Sequence, residues 1–181
     1  MKSKNICVYG AASDRIHPDY LAGAELLGRE IRDAGLGLVF GAGNTGVMGA
    51  CARGAQGGKV IGVAPRFFDQ PGVLYPHCTR MIFTDTMRQR KRIMERMSAG
   101  FVMAPGGIGT LEEFFEILTL RSLGRHQKPV VILNLRDYFH DLETVLRRAV
   151  AEGFASAELE SLYAVADTPK QAVQLLLEAM V

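Results

Sequence analysis

Short apolar runs rich in β-branched residues recur along the chain, and most are followed by a longer stretch with helical periodicity. The runs are Asn5 to Tyr9, Gly37 to Phe40, Lys59 to Val63, Met81 to Thr84, Phe101 to Ala104, Val130 to Asn134 and Leu162 to Ala166. Several are apolar throughout rather than alternating, as in strands covered on both faces. Between them Tyr20 to Ala34, Val47 to Gln56, Met87 to Ala99, Leu111 to Leu123, Tyr138 to Glu152 and Lys170 to Met180 carry apolar residues at helical spacing. Parallel strands need crossover connections, and the helices that supply them cover the sheet. The pattern predicts an α/β fold: a doubly wound parallel sheet of about seven strands with helices on both faces, in one domain over residues 1–181. Gly35, Gly57-Gly58, Gly100 and Gly153 stand where helices would end, and Pro169 where the last begins.

A length of 181 residues is enough for one substantial core, and 48% hydrophobic with 22% charged residues is an ordinary globular balance. A formal net charge of +2 implies no polyanion partner such as nucleic acid. Three cysteines, Cys7, Cys51 and Cys78, stand apart without a CxxC pair, and the four histidines lack metal-ligand spacing, so a reduced setting with no metal site is expected. The apolar run after Met1-Lys-Ser-Lys4 is too short for a signal peptide, and no stretch reaches the ~20 residues of a membrane helix. The expectation is a cytoplasmic protein that does not enter a membrane.

In doubly wound folds ligands sit beyond the carboxyl ends of the strands, and two of those loops are glycine-rich. Gly41-Ala-Gly-Asn-Thr-Gly46 matches G-x-G-x-x-G between a strand and a helix. It follows the second strand rather than the first, and the next strand ends Val63-Ala-Pro65 without the acid that would hold a dinucleotide's ribose. A turn that lets the backbone approach a nucleotide fits better, with a purely structural tight turn as the plain alternative. Pro105-Gly-Gly-Ile-Gly-Thr110 precedes a strongly periodic helix, so its N–H groups and the helix dipole suit an anion. Thr110 can cap that helix or donate to a phosphate oxygen. The Lys of a Walker loop is absent, which argues against NTPase chemistry.

Glu112, Glu113 and Glu116 follow at once. Acids near a helix start complement its dipole, and that suffices for Glu112. Glu113 shares a row with Ile117 and Leu120 and therefore points into a partly enclosed cleft, roughly 5 Å along the axis from Thr110. In Met87-Arg-Gln-Arg-Lys-Arg-Ile-Met-Glu-Arg-Met97, helical spacing puts Arg90 and Lys91 on the stripe of Met87, Met94 and Met97, and Arg88, Arg92, Glu95 and Arg96 on a solvated side. Arg90 and Lys91 would be costly to bury alone, so each should meet a protein carboxylate or a ligand phosphate. Phosphate on Gly106 to Thr110, Glu113 near a sugar and Arg90 beside both would suit cleavage of an N-glycosidic bond, whose transition state has oxocarbenium character. A nucleotide-binding carrier or sensor without turnover fits the same spacing.

Gly41-Ala-Gly-Asn-Thr-Gly-Val-Met-Gly49, Met87-Arg-Gln-Arg-Lys91 and Pro105-Gly-Gly-Ile-Gly-Thr-Leu-Glu-Glu113 together resemble the Lonely Guy (LOG) family of cytokinin riboside 5′-monophosphate phosphoribohydrolases, often mislabelled lysine decarboxylases. The family signature PGGxGTxxE is matched in full and ends on Glu113. The resemblance implies a Rossmann-like homodimer that hydrolyses N6-substituted adenosine 5′-monophosphates, and often AMP, to free base and ribose 5-phosphate. It implies Glu113 and Arg90 as the catalytic pair, and Ser13, Gly43, Met87, Lys91, Pro105, Gly106, Gly107, Gly109 and Thr110 as substrate-binding residues. No cofactor or metal is implied, and nothing marks a Schiff-base lysine for pyridoxal phosphate. The chain departs from the family where GGG reads Gly41-Ala-Gly43, where an N-terminal Cys-Gly-Ser-Ser-like segment reads Gly10-Ala-Ala-Ser13, and where Trp-x-Gln reads Leu120-Arg-Ser122.

Overall fold

A computed structural model describes residues 4–180. The basic start Met1 to Ser3 therefore lies outside the described residues. Strands β1 (Asn5–Tyr9), β2 (Gly37–Phe40), β3 (Val60–Pro65), β4 (Arg80–Thr84), β5 (Gly100–Met103), β6 (Val130–Leu133) and β7 (Ala164–Ala166) form one parallel sheet in the order β4-β3-β2-β1-β5-β6-β7. The helices are α1 (Pro18–Asp33), α2 (Gly46–Gly54), α3 (Met87–Met97), α4 (Ile108–Ser122), α5 (His140–Ala151) and α6 (Pro169–Ala179). The expected doubly wound architecture is the one observed.

Two cores sandwich the sheet. On one face Leu27, Ile31, Val47, Cys51 and Leu176 of α1, α2 and α6 pack on Ile6, Val8, Leu38 and Phe40. On the other, Met94 of α3 and Phe114, Ile117 and Leu118 of α4 cover Cys7, Val39, Ile61, Phe101 and Met103. Alternate residues of β1 thus serve opposite cores, which is why its sequence reads as a continuous apolar run. The chain reverses direction across the sheet between β1 and β5, and the loops after these strands are joined by a hydrogen bond from Ala11 N to Pro105 O of 3.1 Å. That reversal opens a crevice at the carboxyl ends of the strands.

Several element boundaries differ from the sequence reading, and three of them do so for a clear local reason. Helix α4 starts at Ile108 rather than Leu111, because Gly107 leaves the helical region and Gly109 continues within it. Gly100 does not end α3: Ser98 already turns extended while its hydroxyl donates to Met94 O, and Gly100 opens β5 opposite Ile6. A 3-10 turn over Ala157–Ser161 precedes β7, which shortens the expected Leu162 to Ala166 strand to three residues.

Candidate active site

The crevice is a cleft of about 640 Å³ lined by the loops after β1, β2, β3 and β5 and by the first turns of α3 and α4. The two glycine-rich helix starts that face it are used differently. At α2, Gly46 N donates to Asp14 Oδ1 at 2.6 Å and Met48 N to Ala11 O at 3.2 Å, while Thr45 Oγ1 donates to Ala12 O. The protein's own carboxylate takes a helix-end donor that a dinucleotide's pyrophosphate would need, which argues against a dinucleotide fingerprint, while Gly41 and Gly43 of the same turn line the cleft.

Helix α4 is open. Gly107 precedes it without a side-chain cap, no acid stands in its first turn, and its first intrahelical bond runs from Leu111 N to Gly107 O. The N–H groups of Gly107, Ile108, Gly109 and Thr110 are therefore the orphan donors of the helix end, with the positive end of the dipole behind them. Thr110 is not the cap that its sequence position allowed; it is the third helical residue, buried, and it lines the cleft with Gly107 and Gly109. Tyr138 Oη donates to Gly106 O at 2.9 Å and holds the loop. A methyl at Gly106 would come within 2.1 Å of Thr110 Oγ1, so glycine is needed for the loop to close on the helix.

One turn further along, Glu113 is 8% exposed and lines the cleft. Its Oε1 accepts from Arg90 Nη1 at 2.6 Å, and Arg90 Nε donates to Val63 O at 3.1 Å. Arg90 is itself only 6% exposed, so this is a buried ion pair whose guanidinium is also tied to the end of β3. Gly41 makes the arrangement possible, because a Cβ there would stand 2.0 Å from Arg90 Nη2. Burial pushes the Glu113 carboxyl above its ordinary pKa, and the Arg90 charge and hydrogen bond draw it part of the way back. Beneath the pair, burial also raises the Tyr9 hydroxyl well above its usual value and the Cys7 thiol to about 12, so both are neutral neighbours.

Of the residues expected at the site, Ser13, Gly43, Met87, Arg90, Gly107, Gly109, Thr110 and Glu113 line the cleft. Pro105 and Gly106 shape the loop from behind it. Lys91 meets protein carboxylates, pairing with both Glu112 and Glu116 of α4. Glu112 lines the cleft and has that partner besides the dipole. Phe68, Gly72, Val73 and Leu74, from the connection between β3 and β4, also line it and were not singled out by motif. The available signal was Phe67-Phe68, an apolar pair between two prolines in a loop at a strand's carboxyl end. No group of three or more His, Cys, Asp or Glu that could hold a metal occurs among the described residues.

Residues 48–176 match the family model described as "Possible lysine decarboxylase". The chain is 36% identical over 177 residues to cytokinin riboside 5′-monophosphate phosphoribohydrolase LOG7 of Arabidopsis thaliana, covering 97% of this chain and 82% of that one. It is 37% identical over 161 residues to the cytokinin riboside 5′-monophosphate phosphoribohydrolase of Rhodococcoides fascians, covering 87% and 81%. The chain belongs to the Lonely Guy family. Among solved structures, the LOG chain matches the molybdenum cofactor binding protein of Rippkaea orientalis with TM-score 0.78 at 23% identity, over 100% of this chain and 99% of that one. It matches the molybdenum cofactor carrier protein of Chlamydomonas reinhardtii with TM-score 0.75 at 23% identity, over 99% of each. At that identity the likeness concerns the LOG fold alone, and the chemistry has to be argued from the site.

Proposed function

We propose that this LOG-family chain hydrolyses the N-glycosidic bond of adenosine 5′-monophosphates, including N6-substituted ones, releasing the free base and ribose 5-phosphate. The observation that carries the reading is an uncapped helix N-terminus with a buried Arg–Glu pair one turn along the same cleft. The first accepts a dianionic phosphate through backbone donors, and the second puts a carboxylate where the sugar of that nucleotide would lie. As the C1′–N9 bond breaks, the bonding electrons leave with the base and positive charge develops on the ribose. Glu113 stabilises that charge and orients the water that adds to C1′. Arg90 fixes the carboxylate rotamer. Of the protons of the added water, one goes to the departing base and the other stays on the new C1′ hydroxyl. The two relatives carry the name of this activity, which supports the assignment. A homodimer, which the family resemblance implies, and a cytoplasmic location, expected from the scattered cysteines, belong to the same reading.

The test is release of free base from AMP and from isopentenyladenosine monophosphate, followed by chromatography, with adenosine as the substrate lacking phosphate. Release from the monophosphates, much slower release from adenosine, and loss of about 10³-fold or more in Glu113→Gln are expected. Binding without any release by the wild-type protein would support a nucleotide carrier instead.

A further inference from the structure

The phosphate cradle follows β5, whereas the remaining wall of the cleft follows β2 and β3, two and three strands away. At about 4.8 Å per strand, this wall stands roughly 10–14 Å from the cradle, with Arg90 and Glu113 between. A nucleotide laid along that line puts its phosphate at α4, its ribose at the ion pair and its base against the far wall.

That wall is apolar. Met48, Phe68, Val73, Leu74 and Met87 supply its larger side chains, and Phe68 and Val73 are left 41% and 39% exposed. The half of the loop that carries Val73 is pinned: Asn44 N donates to Val73 O and Tyr75 N to Ala42 O, both at 2.9 Å, and Leu74 bridges to Gly43. The half that carries Phe68 makes short local bonds, Asp69 N to Arg66 O and Gln70 N to Phe68 O. An aliphatic edge tied to the β2 loop and an aromatic edge held by local bonds thus both line the end of the cleft where the base would protrude.

We propose that Phe68 and Val73 form a slot for an apolar substituent on N6 of the base, and that they set the preference for N6-alkylated adenine nucleotides over AMP. The proposal rests on the phosphoribohydrolase reading for the orientation of the nucleotide. It assigns base selectivity to the connection between β3 and β4, a part of the chain that holds none of the family's signature residues.

The experiment compares kcat/KM for isopentenyladenosine monophosphate and for AMP in the wild type, Phe68→Ala and Val73→Ser, with thermal melting to confirm folding. Hydrophobic pockets discriminate about 10–200-fold for a methylene-sized difference, so the ratio of the two values should fall about tenfold or more in each variant. Ratios within twofold of wild type in both variants would overturn the proposal, as would equal losses on both substrates. Should the wild type release base from neither, the reaction assigned above is wrong. The dissociation constants of the same two nucleotides, measured by calorimetry on the same three proteins, then decide the slot separately. A selective loss of isopentenyl nucleotide binding supports it, and a parallel loss or none overturns it.

Discussion

Gly41→Ala tests whether the ion pair works because of its position. Gly41 is not among the residues with positive φ, so alanine adds no backbone strain. Its only effect is steric: the new Cβ would stand 2.0 Å from Arg90 Nη2, about 1.4 Å short of an ordinary 3.4 Å contact. The guanidinium cannot move by that amount freely, because it is held by Val63 O at 3.1 Å and Glu113 Oε1 at 2.6 Å. At least one of those bonds must lengthen. Overpacking of this kind costs about 1–3 kcal/mol in stability, which leaves most domains folded. A catalytic group displaced by about 1 Å loses on the order of 10²-fold in rate. Gly41→Ala should therefore melt cooperatively, somewhat below wild type, and release base about 10²-fold more slowly. In an Arg90→Ala background the same substitution should cost little, because the severe collision is gone and the remaining close neighbour is the flexible Met48 side chain, with Sδ at 3.1 Å. Wild-type turnover by Gly41→Ala, or an equal loss in both backgrounds, would refute the claim that Gly41 acts through Arg90.

The raised pKa of Glu113 places the acid limb of kcat/KM above the ordinary carboxylate range, since activity needs the ionised form and burial disfavours it. Arg90→Ala should move that limb higher still in a pH–rate profile. By linkage, the stability contributed through this shift is present at acid pH and is lost as pH rises through the folded pKa, which urea titrations at several pH values would detect. Tyr138→Phe removes the hydrogen bond to Gly106 O, worth about 1 kcal/mol, and should raise KM for nucleotide roughly fivefold while changing kcat less. Burial raises Cys7 and Cys51 to about 12 and Cys78 to about 11, so a disulfide reagent at pH 8 should label the native protein slowly. Denaturation should release all three thiols, which counting by absorbance will check.

The sheet was legible because its strands are short, apolar and separated by amphipathic helices, so that burial on both faces was written into the residue types. The pairing of Arg90 with Glu113 was half legible. Each falls on the apolar stripe of its own helix, and both helices pack on the same face of the sheet. The partners of Lys91 could not be separated from a ligand phosphate, because one turn of α4 carries three carboxylates and spacing within a helix says nothing about which of them faces its neighbour. The start of α4 was misplaced because glycine reads as loop whether or not the chain is already helical. Nor could periodicity reveal that Asp14 fills the end of α2, since that contact joins residues 32 apart through a turn with no repeating pattern.

The carboxylates beside the anion cradle now have a physical account. Glu112 and Glu113 stand in the second turn of α4 and Glu116 in the third, all beyond the orphan N–H groups, and each is met by a cation. Arg90 takes Glu113, and Lys91 takes Glu112 and Glu116, both from one adjacent pair of residues on α3. Repulsion between these acids and an incoming phosphate is thereby compensated at close range, so the dipole and the four free donors of α4 still favour an anion. The two pairings differ in depth. The Lys91 contacts have exposed carboxylates and are screened by water, whereas the Arg90–Glu113 pair is buried, which makes removal of either partner costly. Only in the buried pair does the local dielectric let one carboxylate act strongly on a charge that develops beside it, and it is this difference in burial that separates Glu113 from Glu112 one residue away.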